Sequence, residues 1–192
     1  MRAFVVLAAF VAVACGPDAP KFMASDVTGT SFGRDFQLVD HNGKPRTLAD
    51  YRGKAVVLFF GYTQCPDVCP TTLAELGEAM KRLGADAERV QVLFVTVDPE
   101  RDTPDLLSKY VPAFDPRFAG LYGDAEATAR TAKEFKVIYQ KQPGATPGTY
   151  TMDHSAGTFI FDPSGKLRVY VGYGQGADVF AHDIKELLRN QG

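Results

Sequence analysis

The sequence predicts an α/β fold, with a central mixed sheet, helices on both of its faces and an N-terminal β-hairpin. Three observations predict it. Val56 to Tyr62 and Val90 to Val97 are unbroken apolar runs, the appearance of strands covered on both faces. Segments with helical spacing of apolar residues alternate with them. Two pairs of short apolar runs are joined by turn residues, as hairpins require. The resulting order, β-β-β-α-β-α-α-β-β-α, places layers on both sides of one sheet.

Each element has its own signal. Phe36 to Val39 and Arg46 to Leu48 form the first hairpin, with Asn42-Gly43 as its turn. After the strand Val56 to Tyr62, a tight turn over Pro66 to Val68 leads to a helix that begins near Pro70 and runs to about Leu83, with Leu73, Leu76, Met80 and Leu83 on one face. Pro66 and Pro70 disfavour helical dihedrals at Cys65 and Cys69, so neither cysteine is expected inside regular helix. The strand Val90 to Val97 ends at Asp98-Pro99. Thr103-Pro104 then opens a second helix, threonine as cap and proline in the first turn, to about Val111. A third helix covers about Ala125 to Phe135, and Val137 to Gln140 suits a short strand. Gln142 to Thr149, punctuated by Pro143, Gly144, Pro147 and Gly148, reads as a loop. Thr158 to Phe161 and Leu167 to Val171 flank the turn Asp162-Pro163-Ser164-Gly165, and Val179 to Leu188 closes the chain as an amphipathic helix.

The ends of the chain read differently from its middle. Residues 1–14 carry Arg2 and then an apolar stretch from Ala3 to Ala14, which reads as a secretory signal. That stretch is too short to span a bilayer, which needs about 20 apolar residues. Ala12-Val13-Ala14-Cys15 resembles a bacterial lipobox, in which Cys15 would be lipidated and become the first mature residue. This implies an exported bacterial lipoprotein, anchored to the membrane by lipid and facing the periplasm or the outer side of the cytoplasmic membrane. Ala12 stands where leucine is commonest, so cleavage near Ala14 without lipidation stays open. Lipidation would also account for the odd one of three cysteines. Residues 15–31 lack periodicity and read as a tether, which leaves 32–192 as one domain of ordinary size. The formal charge of −2 is spread without long runs, and no basic patch with interleaved aromatics invites nucleic acid.

Chemistry concentrates in Cys65-Pro66-Asp67-Val68-Cys69-Pro70, at a helix entrance. Unpaired N–H groups and the positive end of the helix dipole favour thiolate there. A thiolate is both the nucleophile of disulfide exchange and a soft ligand for Cu(I) or zinc. A buried disulfide or two inert core thiols is the plainer reading, and the flanking prolines argue against it. Of the three histidines, His41 falls in a hairpin turn and His182 in the polar rhythm of the last helix, both as surface residues. His154 lies in Thr151-Met152-Asp153-His154-Ser155-Ala156-Gly157, a loop feeding a buried strand and suited to aim a side chain at the carboxyl end of the sheet.

Three blocks in order, Cys65 to Pro70, Val97-Asp98-Pro99-Glu100-Arg101-Asp102-Thr103-Pro104, and Asp153-His154-Ser155 before a strand ending Asp162-Pro163-Ser164-Gly165, resemble the Sco/SenC family of copper-binding, thioredoxin-like proteins. The resemblance covers about Phe32 to Gln191. It implies a thioredoxin-like fold in which Cys65, Cys69 and His154 bind copper, as Cu(I), Cu(II) or both. It also implies a role in assembling the binuclear copper centre of cytochrome c oxidase, with the copper-receiving subunit of that oxidase as partner and other periplasmic copper carriers as further ones. Asp67, Asp98 and Asp153 fall on family motif positions, with structural or ligand-orienting roles. The donor set is sensible on chemistry alone, since two thiolates and an imidazole suit Cu(I), accept Cu(II) and also suit zinc. Three protein donors leave a position for an incoming ligand.

Two functions compete for these residues. One is a copper metallochaperone. The other is a thiol:disulfide oxidoreductase, with Cys65 and Cys69 as its redox pair, that reduces the cysteines of the oxidase centre. The spacing is one residue longer than Cys-x-x-Cys, and the His154 loop offers no proline to face the sulfurs, which weakens a general redox enzyme. A Cys65–Cys69 disulfide would abolish two ligands, so redox state and metal binding are linked. A peroxidase lacks its Thr-x-x-Cys arrangement, and Gly172-Tyr173-Gly174-Gln175-Gly176 has the wrong spacing for a dinucleotide site.

Overall fold

Continuous apolar runs make the centre of the sheet, as burial on both faces demands. In the computed structural model, which describes residues 20–189, β4 (Ala55–Gly61) is buried at every position and pairs in parallel with β5 (Val90–Thr96). The signal-like residues 1–14 and Cys15 lie outside the described residues. Around this centre the strands run in the order β1 (Ser25–Asp26), β10 (Leu167–Val171), β9 (Thr158–Phe161), β4, β5, β6 (Ala119–Tyr122), β2 (Leu38–Asp40), β3 (Pro45–Arg46). β6 is parallel to β5, whereas β9 is antiparallel to β4, so the sheet is mixed as expected.

Alternation along β4 sorts the core into two layers. Phe59 faces Phe94 and the side that holds α1 (Val68–Leu83) and Tyr110 of α2 (Pro104–Tyr110). Phe60 faces the other side, where it meets Phe159 and Phe135, the residue that ends α3 (Ala125–Glu134). α4 (Ala177–Arg189) packs against α1. Among the described residues no helix is long and apolar enough to cross a membrane.

Four local expectations are corrected. α1 starts at Val68, with Asp67 as its cap, so Cys69 lies inside the first turn rather than before the helix. Pro70 permits this because N–H groups of a first turn have no helical partner to lose. β6 went unpredicted, since four residues including Gly120 carry little periodicity. The His154 loop is largely strand: β7 (Tyr139–Pro143), which the expected strand at 137–140 overlaps, and β8 (Tyr150–His154) form a separate two-stranded sheet, and residues 144–149 of the predicted loop are its tip. Met152 is the one fully buried residue of those two strands, which is why apolar patterning was silent there.

The fourth correction shortens the tether. Ser25 and Asp26 pair with β10, while Phe22, Ala24 and Val27 pack on the core. The carboxylate of Asp183, fully buried on α4, accepts the N–H groups of Met23 and Ala24 at 2.8 and 2.9 Å. Residues 22–27 therefore belong to the fold, ahead of the expected start at 32.

Candidate metal centre

The sheet delivers both cysteines to its carboxyl edge. Beyond Gly61 the chain turns through Tyr62 to Cys65, whose N–H donates to the Tyr62 carbonyl at 3.3 Å. The Cys65 sulfur then accepts the N–H of Cys69 at 3.4 Å, so it occupies the position of a capping side chain on α1. Cys65 is half-buried and Cys69 fully buried, and neither is in a disulfide.

The environment divides the two thiols. The Cys69 side chain donating to Cys65, with help from the Asp67 and Cys69 amides and from His154, lowers the Cys65 thiol to about 5 despite partial burial. Cys69 is pushed the other way, first by its contact with the Cys65 sulfur and then by burial. The two sulfurs therefore favour the thiolate at Cys65 and the thiol at Cys69.

His154, at the end of β8, completes the group. Its Nδ1 lies 3.0 Å from the Ser155 carbonyl, which can only accept, so Nδ1 donates to that carbonyl and Nε2 is the ring nitrogen that faces the sulfurs. That Nε2 lies 3.4 Å from the Cys69 sulfur. The two sulfurs and this nitrogen fall within 4.8 Å of one another, and among the described residues they form the one group of three or more candidate metal ligands. The donor set fits a soft cation at a three-coordinate or open tetrahedral site. The three predicted ligands therefore converge across 85 residues of chain.

Supporting residues were less legible. Gly61 is required by close packing, since a Cβ there would sit 2.8 Å from the Cys69 sulfur and 2.8 Å from the Phe94 ring. The rings of Phe59 and Tyr62 stand edge-on to the imidazole, at centroid distances of 6.3 and 5.9 Å. Asp102, buried, accepts the Thr63 N–H at 3.1 Å and the hydroxyls of Thr63 and Thr96 at 2.6 Å each, which fixes the turn leading to Cys65. Burial raises its carboxyl above the usual range.

The other candidates resolve individually. Asp98 is buried and binds Arg101 and the Tyr150 hydroxyl. Asp67 accepts the Thr71 hydroxyl on the surface. Asp153 is exposed, and the Ser155 carbonyl orients the imidazole in its place. His41 and His182 lie outside the group. His41 is half-buried rather than solvated, its Nδ1 accepting the Gly120 N–H at 3.1 Å, and His182 contacts Asp183 at 2.8 Å.

Comparison with known proteins points the same way. Residues 24–189 match the SCO1/SenC family. The mitochondrial SCO2 homolog of Mus musculus is 39% identical over 153 residues, 79% of this chain and 60% of that protein. The chain thus spans about three fifths of the length of that relative. A SCO2-like protein of Rickettsia conorii is 34% identical over 160 residues, 83% of this chain and 76% of its own. The structure of Bradyrhizobium japonicum ScoI with copper bound is 40% identical with a TM-score of 0.75, covering 82% of this chain and 100% of that one. Apo Sco1 of Thermus thermophilus is 41% identical with a TM-score of 0.78, covering 88% and 98% respectively.

Proposed function

Since the chain belongs to the SCO1/SenC family, we propose that it is a copper metallochaperone that delivers copper to, or prepares, the binuclear copper centre of cytochrome c oxidase. The observation that carries this is the approach of Cys65 Sγ, Cys69 Sγ and His154 Nε2 to within 4.8 Å at a half-exposed edge of the sheet. Copper is the cargo. Cys65 and His154 are reachable from solvent, whereas Cys69 lies beneath them and must give up its proton as the ion is taken. Release in the opposite sense would begin at the two outer ligands. The similar ScoI of Bradyrhizobium japonicum, solved with copper bound, supports the choice of ion.

Titration of the reduced protein with copper tests the reading. One ion per chain is expected, with loss of tight binding in Cys65→Ala, Cys69→Ala and His154→Ala. A reduced protein that takes up no stoichiometric copper would overturn it.

A second reading, reduction of the centre's cysteines, is favoured by one observation: the Cys65 thiol, lowered to about 5, is a competent nucleophile beside a second thiol that can resolve a mixed disulfide. His154→Ala separates the readings, because thiol exchange with the oxidase's copper-ligand cysteines that survives loss of copper binding would assign the protein to reduction. Anchoring by lipid on Cys15, and with it a place at the outer face of the cytoplasmic membrane, rests on the signal-like residues 1–14 and the lipobox. A mass increase of a diacylglycerol-modified cysteine on protein extracted from membranes would show the anchor, and an unmodified Cys15 would exclude it.

A further inference from the structure

The three ligands do not share one rigid element. Cys65 and Cys69 belong to the body of the domain, at the junction of β4 and α1, while His154 ends a hairpin that pairs with no strand of the main sheet. Met152 is the only residue of the hairpin strands that is fully buried. Apolar burial alone therefore docks this arm weakly, and something else must hold the imidazole at 3.4 Å from the Cys69 sulfur.

Tyr150 supplies it. Four residues before His154 on the same strand, its ring lies on the same side of β8 as the imidazole. The Arg101 guanidinium stacks on that ring at 3.5 Å from the centroid, and Lys141 Nζ stands 4.0 Å from the same centroid. The Tyr150 hydroxyl donates to Asp98 at 2.8 Å, and the other carboxylate oxygen of Asp98 accepts from Arg101 Nε. Arg101 Nη1 donates to the Tyr150 carbonyl at 2.9 Å and to Gln64, the residue before Cys65, at 3.2 Å. The same guanidinium lies 5.7 Å from the centroid of Tyr62, whose ring abuts His154. Arg101 Nη2 is buried without a partner, so the stacked geometry is kept although one donor goes unmet.

Arg101 thus touches the arm and the cysteine turn at once. We propose that Arg101 and Tyr150 are a positioning pair, which docks the arm so that His154 Nε2 is presented to the two sulfurs before the ion arrives and which sets how fast the imidazole lets go of it. The inference rests on the copper reading for its consequence, but docking of the arm is a property of the metal-free protein. Preorganisation of this kind raises affinity by removing the ordering penalty from the binding step.

Two measurements test it. In the metal-free reduced protein, amide hydrogen exchange across the paired residues of β7 and β8 should quicken in Tyr150→Ala and Arg101→Ala, while the main sheet keeps its protection. In copper-loaded protein, transfer of Cu(I) to a competing chelator should accelerate about tenfold in Tyr150→Ala, the scale of a half-buried cation–π contact together with the hydroxyl's bond to Asp98. Tyr150→Phe, which keeps the stack and loses only the hydroxyl, should restore most of the wild-type rate and serves if the alanine variant does not fold. In a His154→Ala background, Tyr150→Ala should add nothing, because the pair acts through that ring. A wild-type transfer rate in Tyr150→Ala, or the same acceleration with and without His154, overturns the proposal. If the wild-type protein binds no copper, the function fails by itself. The exchange data then still decide whether the pair docks the arm, and unchanged hairpin exchange in both variants would end the proposal.

Discussion

Strand β4 and the β7–β8 hairpin both end at the metal centre, yet different forces hold them. β4 is buried along its whole length and bonded to strands on both sides, so its position follows from apolar burial and the sheet ladder. The hairpin pairs only with itself; Met152 is its one fully buried side chain, and its polar links to the body run from Tyr150 to Asp98 and Arg101 and from Lys141 to Glu100. The sulfurs are thus fixed by the core and the imidazole by a polar and aromatic latch. If the protein holds an ion and then surrenders it, as proposed, this asymmetry lets one ligand leave without unfolding the other two.

The largest effect should come from breaking the body while sparing the arm. Phe60 packs against Phe135 and Phe159 on the face away from the cysteines. Phe60→Ala should cost about 3–5 kcal/mol, a fall in Tm of roughly 10 °C for a domain of this size. Below its lowered Tm it should still bind one copper per chain. Loss of stoichiometric binding in the folded variant would show that body and arm are not separable. Gly61→Ala comes next and sits where the two regions meet. A methyl group 2.8 Å from both the Cys69 sulfur and the Phe94 ring forces repacking worth about 1–3 kcal/mol. Unlike Phe60→Ala, this variant should also lose copper affinity, because the sulfur must move. Chemical denaturation and copper titration on the same sample check both halves.

Acid separates the regions by charge. Asp162, at the β9–β10 turn of the body, is opposed by burial, but the Ser164 hydroxyl, the Lys166 amide and the Arg168 guanidinium outweigh it and hold the carboxyl below its ordinary value. Asp40 in the first hairpin is likewise lowered: burial again opposes, while the Lys44 amide, Arg46 and the Asn42 amide prevail. A carboxyl whose folded pKa lies below its unfolded value of about 4 contributes stability above that value and loses it as the pH falls through the folded one. Denaturation midpoints should therefore decline from neutrality to about pH 5, where the Cys65 thiol held at about 5 regains its proton, and fall further below about pH 4 as these two carboxyls are protonated. Asp162→Asn should flatten that acid limb, and a limb unchanged in slope would assign it to other groups.

The same division explains what the sequence disclosed. Body elements announced themselves because burial on two faces demands runs such as Val56 to Tyr62, and Thr103-Pro104 capped a helix as its chemistry requires. The candidate ligands that the structure brings together could be picked out because Cys65, Cys69 and His154 are rare residue types in distinctive surroundings. β8 was not legible, and β7 only at its start, since strands held by stacking and ion pairs leave no apolar rhythm. β1 escaped for a related reason: Asp183, on the far side of the sequence, holds the segment before it through two backbone amides. Gly61, Asp102, Arg101 and Tyr150 act through spatial neighbours, and spacing along the chain carries no trace of those contacts.

The smallest predicted effect isolates what aims the imidazole. The motif position of Asp153 implied a structural or ligand-orienting role beside His154, but alternation along β8 sends these two side chains to opposite faces, and Asp153 is exposed. The Ser155 carbonyl holds Nδ1 at 3.0 Å, a contact that no side-chain substitution at 153 removes. Asp153→Ala should therefore change stability by less than about 0.5 kcal/mol and copper affinity by less than about twofold. Competition titration against a Cu(I) chelator can resolve that difference. A loss of tenfold or more in Asp153→Ala would mean that the ring turns toward the carboxylate once the ion is bound, and the arm would then have to be understood as reorienting its ligand during loading rather than presenting it ready.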